Sequence, residues 1–182
     1  MRVIAGIARG HTLESPSGAI RPTMDKVRSA IFSSLGDIVI GARVLDLFAG
    51  SGALGIEALS RGAQSACFVD NSPPAVHCIR KNLAKTGLEG RVVTLDAFRF
   101  LASVADTYDL IFADPPYRKQ HGAPDPARAL LESEELPARL ASGGLLILEV
   151  MPSQLPIETT RLSLLKSRQY GETAVAFFQK NK

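Results

Sequence analysis

Short apolar runs alternate with stretches of helical periodicity along most of the chain. After Gly41 the apolar runs predict strands at Val44–Phe48, Ala66–Val69, Val92–Leu95, Leu110–Ala113 and Leu145–Val150. Helices are predicted between them at Leu54–Ser60, Pro74–Thr86, Ala97–Ser103 and Pro126–Leu140, the last broken or kinked at Pro137. Buried strands that alternate with helices favour an α/β fold, in which both faces of a mostly parallel sheet are covered.

The end of the chain departs from this alternation. Two more strands are predicted near Leu162–Lys166 and Ala174–Phe178, with no helix between them. Parallel neighbours need a long crossover connection, so this closing pair is predicted to be antiparallel.

The beginning of the chain also departs from it. Residues 2–8 and 11–15 predict a β-hairpin around the turn Arg9-Gly10, followed by a loop over 16–22. A helix is then predicted to be capped by Thr23 and ended by Gly36. We therefore expect an N-terminal appendage over residues 1–22 and one domain over residues 23–182.

Composition narrows the class of protein. Hydrophobic residues make up 46% of the 182 residues, which is enough for a full core. No apolar run approaches the ~20 residues that a membrane helix needs, and the first residues lack the pattern of a signal peptide. The two cysteines, Cys67 and Cys78, have no metal-binding spacing and suggest no disulfide framework. We expect a cytoplasmic, reduced and monomeric protein without a metal ion.

The charge is unevenly distributed. The net charge is +3, and residues 1–31 hold five basic side chains against two acidic ones. The remaining residues are formally neutral, so the whole excess lies in the N-terminal segment. Such an excess favours contact with a phosphate backbone, but ordinary solvated surface would look the same, and both interpretations stay open.

The first candidate site is a glycine-rich turn between the first strand and its helix. It spans residues 46–55, with Asp46, Phe48, Ala49, Gly50, Ser51 and Gly52 as the candidate ligand-binding residues. Glycines there allow a tight turn and a close approach of the ligand. The run Gly50–Gly55 also fits the dinucleotide fingerprint, so a nicotinamide cofactor is not excluded by it.

Acidic residues follow the next two strands. Asp70, with Asn71 after it, ends the second strand, and a carboxylate there can accept hydrogen bonds from both ribose hydroxyls of an adenosine. Asp96 and Ala97 follow the third strand, where a carboxylate and a backbone N–H can bind an adenine ring. Asp70 would equally serve as a surface acid or a helix cap, and Asp96 as the cap of the next helix.

The run Asp114-Pro115-Pro116-Tyr117 after the fourth strand carries the most specific chemistry. The two prolines lack backbone donors and have fixed φ angles, so their carbonyls are held as acceptors. Asp114 adds a carboxylate acceptor and Tyr117 a stacking face. Together they suit a planar ring with an amino group, and they indicate methyl transfer from S-adenosylmethionine to an exocyclic amine of a nucleobase.

Two segments resemble the RsmD family of bacterial 16S rRNA guanine-N2 methyltransferases. One is Arg21-Pro22-Thr23-Met24-Asp25-Lys26-Val27-Arg28 followed by Ala30-Ile31-Phe32, and the other is Leu45–Arg61. The resemblance implies a Rossmann-like, seven-stranded sheet whose last strand is antiparallel. It also implies S-adenosylmethionine as the methyl donor and RNA of the small ribosomal subunit as the partner.

The resemblance further implies roles for particular residues. Gly50 and Gly52 would border the methionine part of the cofactor with support from Asp46, while Asp70 would hold the ribose and Asp96 and Ala97 the adenine. Asp114, Pro116 and Tyr117 would face the guanine, and Arg21 and Thr23 would border the active site. Arg2 and Arg9 of the basic hairpin would contact RNA.

Three alternatives stay open at this point. The catalytic run also fits a methyltransferase that acts on adenine N6 or cytosine N4 in DNA or RNA. The glycine turn alone would fit a nicotinamide-dependent oxidoreductase, which leaves Asp114–Tyr117 without a role. A non-catalytic RNA-binding module is the third alternative, against which the intact Asp114 and Gly50–Gly52 speak.

Overall fold

The computed structural model describes residues 1–16, 22–116, 125–155 and 159–181, with the backbone alone for 22–24. The helices in these ranges are α1 (Pro22–Leu35), α2 (Ala53–Ser60), α3 (Pro73–Thr86), α4 (Ala97–Ser103), α5 (Pro126–Glu132) and α6 (Glu135–Arg139). The strands are β1 (Arg43–Leu47), β2 (Ser65–Asp70), β3 (Arg91–Thr94), β4 (Tyr108–Ala113), β5 (Leu140–Val150), β6 (Leu162–Tyr170) and β7 (Thr173–Lys180).

One seven-stranded sheet runs through the described part of the chain in the order β3-β2-β1-β4-β5-β7-β6. The pairs among β1 to β5 are parallel, and β7 is antiparallel to both β5 and β6. The predicted α/β fold with an antiparallel last strand is therefore confirmed. In such a sheet the carboxyl ends of β1, β2, β3 and β4 meet at one edge, which is where ligands bind.

Each face of the sheet is buried under its own set of helices. On one face Phe32 of α1 packs against Phe112 of β4, with ring centroids 5.7 Å apart, and α2 and α3 complete this core. On the other face the core contains Phe100 of α4 and Leu130 of α5. The continuous apolar strands of the sequence reflect this burial on both sides.

The break in the predicted helix Pro126–Leu140 lies earlier than Pro137. The α5 helix ends at Glu132, and Ser133 takes an extended ψ of 149°. The Ser133 hydroxyl accepts a hydrogen bond from the Leu136 amide at 3.2 Å, so it caps α6. Pro137 then lies in the first turn of α6, where a missing N–H costs nothing.

The N-terminal segment, residues 1–16, is called the arm below. It folds back on itself, but the two predicted strands are wrong. The described hairpin has a single antiparallel bridge, between Arg2 and Thr12, and residues 5–10 form turns. Met1, Val3, Ala8 and Leu13 belong to the same core as α1, so the arm is packed onto the domain along most of its length.

The start of α1 also differs from the prediction. The helix begins at Pro22, so Thr23 lies inside its first turn and does not precede it. Proline suits the first turn because its fixed φ is helical and its missing donor is not needed. Gly36 ends α1 as predicted, with a φ of +54°, and a short 3-10 turn over Gly36–Val39 leads to β1.

In the described ranges, no helix is long and apolar enough to cross a membrane.

Candidate active site

The carboxyl edge of the sheet brings together several polar side chains that the sequence places far apart. In the β1–β4 register Asp46 lies beside Phe112, and in the β4–β5 register Ala113 lies beside Leu148. Asp114 and Glu149, the next residue on each of those strands, therefore stand at the same level. Asp46 lies two positions before that level on the neighbouring strand, and Asp46, Asp114 and Glu149 are close enough to influence one another electrostatically.

The glycine turn has the backbone that a close ligand approach requires. Gly50 and Gly52 have φ angles of +56° and +76°, which favour glycine. Phe48 has a φ of +57°, a strained conformation for a bulky side chain. At Gly50 a Cβ would meet only the Phe48 carbonyl oxygen, at 3.9 Å, so the space beside the turn is open. The turn is a cradle that any larger side chain at Gly50 would begin to fill.

Gly55 has a different task from the other glycines of this turn. A Cβ there would lie 2.3 Å from the ring of Phe68, so its absence lets α2 pack closely on β2. This is the helix–strand packing role that the third glycine of such a turn commonly has.

Asp46 is buried under the turn and holds it to α2. Its side chain is 2% exposed, and its Oδ2 accepts a hydrogen bond from the Gly55 amide at 2.9 Å. Burial raises the pKa of Asp46 to about 8, and the negative charges of Asp114 and Asp70 add to this, whereas the Gly55 hydrogen bond opposes it. Asp46 therefore carries a proton at neutral pH, and it supports the turn from below.

Asp70 fixes the other side of the turn. Its Oδ2 accepts from the Gly50 amide at 2.8 Å, and its Oδ1 accepts from the Ser72 amide at 2.8 Å. Each carboxylate oxygen has two acceptor positions, so these bonds leave capacity for ribose hydroxyls. Asn71, next to it, is exposed. The ribose role of Asp70 stays a prediction.

Asp96 is the N-cap of α4, one of the two interpretations that the sequence allowed. Its Oδ1 accepts from the amides of Phe98 and Arg99 at 3.0 and 3.1 Å. Both cap bonds use the same oxygen, so Oδ2 can still accept from an adenine amine. Ala97, which follows, is buried.

Phe98 lies beside the candidate site and was not singled out from the sequence. Its ring lies edge-on to that of Phe48, with centroids 6.5 Å apart, and joins the glycine turn to the start of α4. An aromatic side chain two residues after Asp96 was the available signal, because the ligand proposed for this edge contains a planar ring.

The catalytic run begins where β4 ends. Asp114 is exposed, Pro115 is buried and Pro116 is exposed. Tyr117 lies outside the described residues, as do Arg21 and most of the loop 118–126. Thr23 is described by its backbone alone. Asp114 and Pro115 directly follow β4 at the carboxyl edge of the sheet, and Pro116 follows them.

Glu149 is a second residue that the sequence reasoning missed. It lies on the α1 face of β5, and burial raises its pKa to about 8, with the charges of Asp114 and Asp46 contributing. The Thr173 hydroxyl of β7 donates to it at 3.4 Å. The signal was an acid interrupting the apolar run Leu145–Val150, just as Asp46 interrupts the first run.

Arg2 and Arg9 are exposed. The first half of the arm runs beside α2 towards the C-terminal end of that helix. At Gly6 a Cβ would lie 1.7 Å from the carbonyl oxygen of Ser60, the last residue of α2. Arg9 donates its amide to the Gly6 carbonyl at 3.2 Å. It is therefore separated from the glycine turn by the length of α2, which at eight residues is about 12 Å.

No group of three His, Cys, Asp or Glu side chains in the described parts of the chain is arranged to hold a metal ion.

A sheet in this order, with a glycine turn after β1 and acids after β2, β3 and β4, defines a class I methyltransferase. Within that class the chain belongs to the RsmD family: the family model described as "Conserved hypothetical protein 95" matches residues 1–179. The predicted resemblance is confirmed.

Relatives span the whole chain. YlbH of Bacillus subtilis (strain 168) is 38% identical over 99% of both chains. "Ribosomal RNA small subunit methyltransferase D" of Escherichia coli (strain K12) is 36% identical over 99% of this chain and 90% of its own.

A solved structure of the same class adds a ligand-bound comparison. The 16S rRNA guanine-N2 methyltransferase RsmC of T. thermophilus, solved with AdoMet and guanosine, is 26% identical to this chain, with a TM-score of 0.72. The match covers 91% of this chain and 44% of that one.

Proposed function

We propose that this protein transfers the methyl group of S-adenosylmethionine to the exocyclic N2 of a guanine in 16S rRNA of the small ribosomal subunit. The observation that carries this proposal is the position of Asp114 and Pro115, which follow β4 at the same edge as the glycine turn. A methyl donor in the turn and an amine held by Asp114 would then face each other across the end of β4.

The residues at this edge fit the donor. The open space beside Gly50 leaves room for the methionine part, and the carboxylates of Asp70 and Asp96 follow in the order ribose, adenine along β2 and β3. The Phe48 and Phe98 rings frame the adenine end. S-adenosylmethionine supplies a sulfonium methyl, which is already a strong electrophile.

The acceptor amine needs help because its lone pair is delocalised into the guanine ring. In the proposed reaction, the Asp114 carboxylate and the Pro115 carbonyl accept hydrogen bonds from the amine and favour the pyramidal nitrogen of the transition state. A bond forms between that nitrogen and the methyl carbon while the carbon–sulfur bond breaks, and the sulfur keeps its electron pair. The nitrogen loses a proton afterwards, to Asp114 or to water, so no strong base is required.

The choice of guanine in RNA is supported by the relatives and by the arm. One full-length relative is named for methylation of small-subunit rRNA, and the T. thermophilus neighbour was solved with guanosine. The arm presents Arg2 and Arg9 to solvent, which suits a phosphate backbone.

The test is nucleoside analysis of small ribosomal subunits taken from cells that lack this protein. The subunits are incubated with labelled S-adenosylmethionine and the wild-type protein or the Asp114→Ala variant, then digested. We expect labelled N2-methylguanosine with wild type and a loss of at least about a hundredfold with Asp114→Ala. The variant should still bind S-adenosylhomocysteine in calorimetry, because Asp114 faces the acceptor.

Other products would redirect the proposal. Labelled N6-methyladenine or N4-methylcytosine would keep the mechanism and reject guanine. Full activity of Asp114→Ala would reject the mechanism, and binding of NAD in place of S-adenosylhomocysteine would reject the donor.

A further inference from the structure

Asn82 of α3 contacts both the arm and the glycine turn, which have separate roles in the proposed function. Its side chain is fully buried. Its Oδ1 accepts from the Glu14 amide at 2.8 Å, and its Nδ2 donates to the Glu14 carbonyl at 3.0 Å. The same Nδ2 donates to the Ser51 carbonyl at 2.9 Å. One amide therefore binds the arm at Glu14 and the glycine turn at Ser51.

The chemistry of the contact demands an amide. The Glu14 backbone offers one donor and one acceptor, and the Ser51 backbone offers a second acceptor, so the side chain must accept once and donate twice. A carboxylate cannot donate to the two carbonyls, and an aliphatic side chain would leave buried backbone groups without partners. The site therefore selects asparagine among side chains of its size.

The contact is independent of the Glu14 side chain. That carboxylate pairs with Lys81 at 3.2 Å on the surface, where both side chains are about half exposed. The Glu14 backbone is also bound by the Cys78 thiol of α3, which donates to the Glu14 carbonyl at 3.3 Å. The side-chain link to Lys81 can therefore be removed without touching the backbone links.

We propose that Asn82 is a positioning residue that couples the arm to the glycine turn, so that cofactor and RNA bind cooperatively. This inference rests on the proposed function, in which the turn holds S-adenosylmethionine and the arm contacts RNA. Ordering of the turn by the cofactor holds the Ser51 carbonyl in place, which holds Asn82 and through it Glu14. Thermodynamic linkage makes the effect reciprocal, so bound RNA strengthens cofactor binding by the same factor.

The experiment compares two substitutions at the same exposed position. Glu14→Pro removes the amide that donates to Asn82 together with the Lys81 pair, whereas Glu14→Ala removes only the pair. The dissociation constant for small-subunit rRNA is measured with and without saturating S-adenosylhomocysteine. We expect the ligand to tighten RNA binding about fivefold in wild type and in Glu14→Ala, and by a factor near one in Asn82→Ala. Glu14→Pro keeps the carbonyl that accepts from Asn82, so its factor should lie between these two.

A second measurement does without RNA. The Leu13 amide donates to the Met1 carbonyl at 2.9 Å within the arm, so its hydrogen exchange reports how firmly the arm is held. S-adenosylhomocysteine should slow this exchange in wild type and Glu14→Ala, slow it less in Glu14→Pro, and leave it unchanged in Asn82→Ala. The Glu14 side chain is exposed, so Glu14→Pro leaves no buried cavity. This variant therefore tests the coupling through Asn82 even if Asn82→Ala fails to fold.

The outcomes separate the two proposals. Equal slowing in Glu14→Pro and Glu14→Ala, or no slowing in wild type, overturns the coupling through Asn82. Slowing that depends on the Glu14 amide, in a protein that does not bind rRNA, keeps the coupling and overturns the proposed RNA function.

Discussion

At the scale of single residues, the burial of Asp46 makes the stability of the protein depend on pH. Its pKa of about 8 lies far above the ~3.9 of an unfolded aspartate, because the folded protein removes the carboxyl from water. Between these two pH values, Asp46 is protonated in the native state and ionised in the unfolded state. The stability that this provides is fully present below about pH 4 and is lost as the pH rises towards 8.

We predict that Asp46→Asn flattens the pH dependence of stability. An asparagine can still accept the Gly55 amide but has no proton to lose. Between about pH 5 and 7.5, the free energy of unfolding should fall less steeply than in wild type, by up to about 1.4 kcal/mol per pH unit. Urea denaturation without cofactor at several pH values measures the two slopes.

Asp109→Asn is the control for this measurement. The Arg43 guanidinium donates to Asp109 and lowers the pKa of that carboxyl, so its contribution is lost only as the pH falls through the acid range. Between pH 5 and 7.5, the free energy of unfolding of Asp109→Asn should change with pH as steeply as that of wild type. Identical slopes for Asp46→Asn and wild type would show that Asp46 is ionised in the native protein.

The positions of several acids at the sheet edge could be predicted where an acid coincides with a strand end, while their roles stay predictions. Asp70, Asp96 and Asp114 each follow or close an apolar run, whereas Asp46 interrupts one near its end, and topology brings such positions to one edge. Glu149 was missed although it interrupts its run in the same way, because the neighbour that makes it notable, Asp114, is adjacent only through strand pairing. Which residues of two strands lie side by side depends on how the strands pair in the folded protein, and the order of residues in the sequence does not show it.

At the scale of elements, Glu57 ties the arm to α2. Its carboxylate is fully buried and accepts from the amides of Ile4 and Ala5 at 2.7 and 3.0 Å. It also pairs with the Arg61 and Arg28 guanidinium groups at 2.7 and 3.7 Å. The arm is thus held by a buried charge network, which its short apolar segments could not replace.

We predict that Glu57→Gln lowers the free energy of unfolding by about 3 kcal/mol, because removing one partner leaves a buried charge on Arg28 poorly compensated. The new amide would also point donors at groups that are themselves donors. Glu132→Gln is the matched control: it breaks an exposed pair with Arg128 and should cost no more than about 0.5 kcal/mol. If urea denaturation shows similar losses in the free energy of unfolding for Glu57→Gln and Glu132→Gln, the buried Glu57 network does not hold the arm.

Element boundaries show where local signals compete. Pro137 suggested the break in the helix Pro126–Leu140, yet the break lies at Ser133, whose hydroxyl caps α6, and Pro137 lies in the first turn of α6. The arm was predicted to be a hairpin from two short segments around the turn Arg9-Gly10, but its contacts with α2 and α3 replace most of the strand pairing. In both cases a hydrogen bond or packing contact outweighed the sequence pattern.

At the scale of the whole molecule, the N-terminal charge is smaller at the surface than the sequence suggested. Arg28, counted in the basic excess, is 3% exposed and binds Asp25 and the Arg2 carbonyl. Burial lowers its pKa, with Asp25 and Glu57 opposing. Arg2, Arg9 and Lys26 are exposed, so these are the arm and α1 cations with which RNA could pair.

The salt dependence of RNA binding measures how many of these cations meet phosphates. Removing one cation that meets a phosphate lowers the slope of log K against log salt concentration by about 0.7 for single strands and 0.9 for duplexes. We predict that Arg2→Ala with Arg9→Ala lowers the slope by about 1.5 and weakens rRNA binding, while S-adenosylhomocysteine binding stays unchanged. Lys85→Ala with Arg128→Ala removes the same charge from other exposed positions, and it should leave the slope unaltered. A slope that falls equally in both double variants would mean that net charge attracts the RNA without a defined contact at the arm.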